Sequence, residues 1–223
     1  GGNNSAVIGD RAFANDPEGV TAKAGAFAEG LREAGITPVL KHFPGHGSKD
    51  GDSHAGPVAT EPLATLEGRD LKPYNTLVNN SKVAVMIGHL KVPEWGGVPT
   101  SLNAKAYSYL RSTVSFNGLV ITDALDMSGI STDFGGESDR AVFAIAAGAD
   151  MALVNDPGSL IPTIDKLEAA VNAGTIDIEK VNQSVSRVQA SGNSANSGGG
   201  GSCVCSSGSA SGVDKSFNLG SDP

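Results

Sequence analysis

The chain has 223 residues, of which 39% are hydrophobic and 18% are charged, and this length is sufficient for one sizeable globular core. Its formal net charge of −8 at pH 7 argues against a surface that binds nucleic acid or an anionic membrane, because neither would be attracted to it. A neutral substrate fits this composition better than a polyanion.

Strand-like apolar runs alternate with helix-like segments along most of the chain. Short runs rich in β-branched residues predict strands, and apolar residues three or four apart between a capping residue and a glycine predict helices. After a strand remnant at 6–8, the predicted elements are a helix at 17–34 with Asp16 as N-cap and Gly35 as its stop, a strand at 36–40, a helix at 63–77, a strand at 83–87, a helix at 103–111, a strand at 119–122, a helix at 137–147, a strand at 151–154, and helices at 159–172 and 177–189. This alternation is typical of an α/β fold whose parallel sheet is covered on both faces.

Beyond Ala190 the composition changes to serine, glycine and asparagine. Such a segment buries too little apolar surface to offset its ordering entropy, so we predict a flexible or irregular tail at 191–223 after a folded domain at 1–190. Cys203 and Cys205 are the only cysteines and lie in this tail, where a disulfide clip, a redox-neutral pair and no role at all stay open.

The sequence contains no run of about eighteen apolar residues, so it predicts no membrane-spanning helix. Its first four residues, Gly-Gly-Asn-Asn, lack the basic and hydrophobic regions of a signal peptide, which leaves a mature, processed form open. The Ser/Gly tail with its cysteine pair favours an exported or cell-envelope protein over a cytoplasmic one.

A dense group of polar residues follows the predicted strand at 36–40. The stretch Lys-His-Phe-Pro-Gly-His-Gly at 41–47 is followed by Asp-Gly-Asp-Ser-His at 50–54, and together they contain three of the four histidines. Loops that leave the carboxyl ends of parallel strands carry the chemistry of α/β folds, because side chains and backbone N–H groups converge there. We therefore predict a functional site in this loop.

Two further predicted strands are followed by side chains capable of chemistry. His89 comes shortly after the strand at 83–87, and Asp123 comes directly after the strand at 119–122. An ionised carboxylate is costly to bury without partners, so packing alone explains Asp123 poorly. The alternatives are an N-cap at Asp123 for the turn at 124–127 and a core-edge histidine at His89 that is bonded to the backbone.

The histidines of the polar loop differ in how well they suit chemistry. His42 and His46 have the alternative of bracing the loop through imidazole hydrogen bonds. His54 is a better candidate, because the nearby Asp52 carboxylate would fix the tautomer of its imidazole and raise its basicity.

These motifs closely resemble the bacterial β-N-acetylglucosaminidases of glycoside hydrolase family 3. The resemblance rests on KHFPGHG at 41–47 followed by GDSH at 51–54, on GDRAF at 9–13 and on ITDALDM at 121–127, all in the family's order. It covers about residues 7–190. It implies a (β/α)8 TIM-type barrel that removes terminal β-linked N-acetylglucosamine with retention of configuration.

The resemblance also implies roles for individual residues. Asp123 matches the nucleophile that forms a covalent glycosyl-enzyme, His54 matches the acid/base on a mobile loop, and Asp52 matches its dyad partner. The positions that bind sugar hydroxyls and the N-acetyl region are matched by Arg11, Lys41 and His42, and His89 and Met127 match further residues of the sugar pocket. No metal or organic cofactor is implied, since proton transfer to the leaving oxygen and carboxylate attack complete the displacement.

A barrel of this type needs eight strands, whereas the sequence supplies four and a remnant. We therefore expect the first barrel strands to be absent from this chain. The chain is then a fragment, or the missing part was cleaved off or is supplied by another segment or by a second chain.

Other functions stay open at this point. A truncated barrel that binds sugar without turnover would keep Arg11, Lys41 and His42, and a glycoside phosphorylase would use a histidine because it does not repel phosphate. A metal hydrolase using His42, His46, His54 and Asp123 is disfavoured, because Pro44 and Gly45 disrupt the helix that a zinc-binding His pair needs. The implied carbohydrate substrates are muropeptide fragments or chitin oligosaccharides.

Overall fold

The computed structural model describes residues 8–46, 56–80 and 82–193. Its central element is a parallel three-stranded sheet, with a second, two-stranded parallel sheet beside it. The strands are β1 (Val39–Phe43), β2 (Val58–Ala59), β3 (Ala84–Ile87), β4 (Leu90–Lys91) and β5 (Val120–Thr122). The larger sheet has the order β1–β3–β5, and the smaller sheet pairs β2 with β4.

Helices follow the strands and cover the sheet. They are α1 (Pro17–Glu33), α2 (Leu63–Gly68), α3 (Lys72–Asn80), α4 (Ala104–Ser108), α5 (Glu137–Ala147), α6 (Leu160–Asn172) and α7 (Ile178–Asn193). Short 3-10 turns lie at Gly9–Arg11, Pro93–Trp95, Thr100–Leu102, Thr132–Phe134 and Pro157–Ser159, and a π turn at Tyr109–Thr113 extends α4. None of the helices in the described part of the chain is long and apolar enough to cross a bilayer.

Burial along the strands follows their place in the sheet. The inner strand β3 and its neighbour β5 are almost continuously buried, as expected for parallel strands covered on both faces. The edge strand β1 alternates between exposed and half-buried residues before it ends at the fully buried Phe43. The core between sheet and helices is centred on Phe43, Leu66, Leu71, Val85, Ile87, Leu110, Val120 and Leu125.

The predicted α/β class is confirmed, as are most of the helices. Glu137–Ala147 has the predicted bounds, and α1 begins and ends within a residue of prediction. The Asp16 carboxylate caps α1 by accepting a hydrogen bond from Gly19 N at 2.7 Å. Gly35 ends the helix with a left-handed φ of 77°, which a residue without Cβ adopts at no steric cost.

Two predicted bounds at the first strand were wrong. The first β-strand is Val39–Phe43 rather than 36–40, because Ile36 N completes the C-terminal cap of α1 by donating to Leu31 O at 2.8 Å. Lys41 and His42 therefore lie within the strand. Of the remnant at 6–8, only Ile8 is described, and its dihedral angles are helical.

Two later predictions also need correction. The helix at 63–77 divides into α2 and α3, because Arg69 leaves the helical conformation with φ −139°. The strand at 151–154 is reduced to one parallel bridge between Met151 and Ile121. Leu153 N donates to the Thr122 hydroxyl instead of to a backbone carbonyl, which ends the regular ladder.

The strands in the described residues do not close into a barrel. Both edges of the larger sheet retain exposed apolar side chains, with Ile36 before β1, Val39 at its start and Met151 at the opposite edge. The sheet is therefore an open arc of parallel strands, and its carboxyl ends all point to the same side.

Candidate active site

The carboxyl ends of β1 and β5 bring His42 and Asp123 together. His42 Nε2 lies 3.7 Å from Asp123 Oδ2, and the two side chains keep 12% and 16% of their exposure. The pair is therefore largely desolvated but still accessible to a ligand.

Two backbone contacts fix the position of Asp123. Its N–H donates to Ile87 O at 2.8 Å, which continues the pairing of β5 with β3 by one residue. Its Oδ1 accepts from Ala124 N at 2.9 Å, so Oδ2 is the atom that faces His42. This bond to Ala124 N lies at the start of the turn at 124–127, for which an N-cap was the alternative role of Asp123.

Burial lowers the pKa of His42 from 6.5 to about 4, and the Asp123 carboxylate opposes this shift. The charges of Lys41, His46 and Arg11 lower the pKa further. His42 is therefore neutral at pH 7, while the predicted binding residues Lys41 and Arg11 lie close enough to act on it electrostatically.

The predicted binding residues Arg11 and Met127 lie in turns, and His46 lies beside His42. Arg11 lies in the turn Gly9–Arg11, where its Nε donates to Ile8 O at 3.1 Å. The His46 ring contacts the His42 ring edge-on, with 5.8 Å between the ring centroids. Met127 is half-buried in the turn after Asp123.

His89 lies behind Asp123 rather than at the surface. It is 1% exposed, and its ring contacts Ala124 O through Nε2 at 2.7 Å and Ser101 Oγ through Nδ1 at 2.8 Å. Because a carbonyl only accepts, Nε2 carries the proton and the Ser101 hydroxyl donates to Nδ1. Burial also lowers the pKa of His89, which keeps this tautomer neutral. The imidazole thus supports the segment that carries Asp123.

The predicted acid/base pair, His54 and Asp52, lies outside the described residues, as do Gly47 and the other residues at 48–55. Across the described ranges, no group of three or more His, Cys, Asp or Glu side chains is arranged to hold a metal ion.

Two residues of the site were missed from the sequence. Glu137 and Arg140 are both at least nine-tenths buried in the first turn of α5, and they bond to backbone groups of the loops beside Asp123. A signal was present, because both share the buried stripe of α5 with Ala141 and Ala144 at helical spacing. A charged residue on an apolar stripe indicates a specific partner.

Gly88 sets the space available to His42. A Cβ added at Gly88 would lie 3.1 Å from His42 Cβ, and the Gly88 backbone cannot retreat because its N donates to Phe43 O and its O accepts from Thr100 and Ser101. We expect Gly88→Ala to displace His42 and to lower kcat by about tenfold or more, since small misplacements in a site are costly.

The matched control for this substitution is Gly30→Ala in α1, where an added Cβ meets nothing within 4 Å. There the change should leave kcat unaltered and raise the free energy of unfolding by about 0.5–1 kcal/mol. Steady-state kinetics with a chromogenic glycoside compare the two variants, and equal kcat values would contradict the packing argument.

The low pKa of His42 makes stability depend on pH. The unfolded chain binds a proton near pH 6.5, whereas the folded chain binds it only near pH 4, so the free energy of unfolding falls as the pH drops between these values. We expect His42→Gln to remove about 2 kcal/mol of the loss between pH 7 and pH 4.5. Urea unfolding of the parent and the variant at both pH values measures this fall in the free energy of unfolding. An identical fall in the two proteins would refute the prediction.

Comparison with known proteins gives a consistent result. A profile of the Glycosyl hydrolase family 3 N terminal domain matches residues 2–191. The beta-hexosaminidase LpqI of Mycobacterium tuberculosis is 48% identical over 189 residues, which cover 82% of this chain and 48% of LpqI. The beta-hexosaminidase of Methylococcus capsulatus is 40% identical over 167 residues, which cover 74% of this chain and 50% of that protein.

Solved structures agree. M. tuberculosis LpqI superimposes with a TM-score of 0.79 at 47% identity, over 82% of this chain and 55% of that one. The beta-N-acetylglucosaminidase of Thermotoga maritima superimposes with a TM-score of 0.76 at 30% identity, over 85% of this chain and 43% of that one. The chain spans about half the length of the curated relatives it matches.

Proposed function

Because the chain belongs to glycosyl hydrolase family 3, we propose that it is a retaining β-N-acetylglucosaminidase domain that acts through a covalent glycosyl-enzyme on Asp123. The observation that carries this proposal is the position of Asp123, whose Oδ2 lies at the carboxyl end of β5 and 3.7 Å from His42 Nε2. This reaction needs a desolvated carboxylate in a fixed position, and the hydrogen bond from Ala124 N to Oδ1 fixes the position of Asp123.

In the first step Asp123 Oδ2 attacks the anomeric carbon, and the bond from that carbon to the leaving oxygen breaks. His54 gives its proton to the leaving oxygen and so acts as the acid. In the second step His54 takes a proton from water, the water oxygen bonds to the anomeric carbon, and the bond to Asp123 breaks. Two inversions at this carbon give net retention.

An imidazole suits the acid/base role because its ordinary pKa lies near the working pH. Asp52 would orient the ring and stabilise the imidazolium. Lys41 and Arg11 would bind sugar hydroxyls, and the neutral His42 would contribute hydrogen bonds at the same edge of the sheet. Met127 would contact the sugar from the turn after Asp123, while His89 would support that turn from behind.

The proposed substrates are terminal β-linked N-acetylglucosamine residues of muropeptide fragments or chitin oligosaccharides. Two relatives carry the name beta-hexosaminidase, and a structural neighbour carries the name beta-N-acetylglucosaminidase. A role in recycling bacterial cell-wall fragments, outside the cytoplasm, would follow from such a substrate.

We also propose that residues 1–190, which contain the open sheet, form one sector of a (β/α)8 barrel. Supporting this are the parallel β1–β3–β5 order, the added bridge at Met151 and the exposed apolar residues at both edges. The remaining strands would come from another segment or chain. Adding the N-terminal half of a family member should then raise the unfolding temperature, and an unchanged temperature would count against a barrel.

The function is tested by incubating the purified chain with a chromogenic β-N-acetylglucosaminide and, as the matched control, with its α-anomer. We expect turnover of the β-anomer alone, with β-N-acetylglucosamine as the first product by NMR. A folded chain without turnover would favour a sugar-binding remnant, and release of the sugar 1-phosphate only when phosphate is added would favour a phosphorylase.

A further inference from the structure

The first turn of α5 carries two buried groups of opposite charge. Glu137 is 9% exposed and Arg140, three residues later, is 7% exposed. Burying such groups is costly unless their hydrogen bonds are satisfied. Both side chains form hydrogen bonds with backbone groups of loops at the carboxyl end of the sheet, which is the end that carries Asp123.

Arg140 binds the loop that follows Asp123 through the carbonyl oxygens of four residues. Nη1 donates to Leu125 O at 2.7 Å and to Met127 O at 3.5 Å, Nη2 donates to Ile130 O at 3.4 Å, and Nε donates to Gly135 O at 3.1 Å. A guanidinium presents several N–H donors in a rigid plane, so a single side chain fixes the course of this loop.

Glu137 binds the loop after the neighbouring strand-like segment. Its Oε1 accepts from Asn155 N at 2.6 Å, and its Oε2 accepts from Asp156 N at 3.3 Å. The side chain of Asn155 in turn donates to Asp126 Oδ1 at 3.1 Å. The two loops are thereby joined to each other and to α5.

We propose that Glu137 and Arg140 are positioning residues that hold the loop after β5, and with it Asp123, in the geometry needed for attack on the anomeric carbon. This inference rests on the proposed glycosidase function. An apolar side chain would fill the same space without desolvating a charge, but it would leave the loop carbonyls without the donors that Arg140 supplies. Misplacing a nucleophile by about 1 Å lowers turnover by about a hundredfold.

The test compares Arg140→Lys with Arg111→Lys in the full chain. Arg111 is a matched control, because its guanidinium also binds two backbone carbonyls, Phe116 O and Gly118 O, and it does so at the amino end of β5, away from the site. Lysine keeps the charge in both variants but loses the planar fork. Amide hydrogen exchange by mass spectrometry reports on residues 124–135, and steady-state kinetics report on turnover.

We expect Arg140→Lys to speed exchange in residues 124–135 and to lower kcat about 10- to 100-fold with KM changed by less than about threefold. Arg111→Lys should lower the unfolding temperature while leaving exchange in this loop and kcat within about twofold of the parent values. Glu137→Gln keeps one acceptor oxygen and should fall between the parent and Arg140→Lys in both measurements.

Unchanged exchange in residues 124–135 of Arg140→Lys overturns the inference, whether or not the parent chain turns over substrate. Faster exchange with kcat within twofold of an active parent also overturns it, since loosening the loop would then have no effect on catalysis. A parent that shows no turnover refutes the proposed function instead, and faster exchange confined to Arg140→Lys and Glu137→Gln would still support the hold on the loop.

Discussion

Asp123→Asn is expected to lower kcat by about 10⁴-fold or more, the largest loss of activity of any substitution considered. An amide does not form a glycosyl ester, so the covalent step stops. The fold should be unaffected, because asparagine keeps the Oδ1 acceptor for Ala124 N and the backbone bond to Ile87 O. The measurement is the rate of chromophore release, with circular dichroism to verify folding.

Asp165→Asn on the exposed face of α6 removes the same charge outside the strand ends that form the site and serves as the control, with kcat expected within twofold of the parent. A second variant, Asp123→Gly, should recover turnover when azide is added, because the small anion attacks the anomeric carbon in place of the carboxylate. A variant Asp123→Asn that retains a tenth or more of the parent kcat would show that Asp123 is not the nucleophile.

Asp150→Asn is expected to lower the free energy of unfolding by about 3–5 kcal/mol, because it breaks a buried ionic network. The Asp150 side chain is 0% exposed. Its Oδ2 accepts from Arg111 at 2.8 Å and from Val120 N at 2.9 Å, and its Oδ1 accepts from Ser184 and from Arg187 at 2.8 Å each. These bonds attach α7 and the start of β5 to each other, at the end of the sheet away from the site.

Thermal unfolding should therefore shift by roughly 10 °C for a domain of this size. Asp165→Asn again provides the control for lost charge on an exposed helix face and should change the unfolding temperature by about 1–2 °C at most. In a double-mutant cycle, the double variant Asp150→Asn with Arg187→Met should lose less unfolding free energy than the two single variants lose in sum. The reason is that Arg187 has already lost its partner once Asp150 is replaced. A shift of less than about 2 °C for Asp150→Asn would contradict the network's role.

The helices show what local sequence patterns predict well. The Asp16 cap, the Gly35 stop and the apolar spacing of α5 act within one or two helical turns, and each gave bounds close to those observed. Strand bounds were predicted less well, because a strand ends where its partner ceases to bond. The hydroxyl of Thr122 accepts a hydrogen bond from Leu153 N, and no sequence pattern in 151–154 predicts that contact.

The site divides in a similar way. Asp123, His42, Lys41 and Arg11 were predicted because each stands beside a strand end or within a dense polar motif, whereas Arg140 and Glu137 were missed. Their partners are backbone carbonyl and N–H groups, which every residue carries, so the sequence does not specify them. Likewise His89 was predicted as a pocket residue, but only the packing of β3 against the turn at Ala124 placed it behind Asp123.

By itself, the sequence determined the α/β class, most of the helices, the family and the polar motifs near the strand ends, because these depend on short patterns of polarity and on motifs in a fixed order. Only the tertiary structure decided which of these residues meet, which tautomer His89 adopts and which charges hold the loops. Those outcomes depend on contacts between segments far apart in the chain. They also depend on burial, because a buried charge is costly unless its hydrogen bonds are made, which favours one arrangement of its partners.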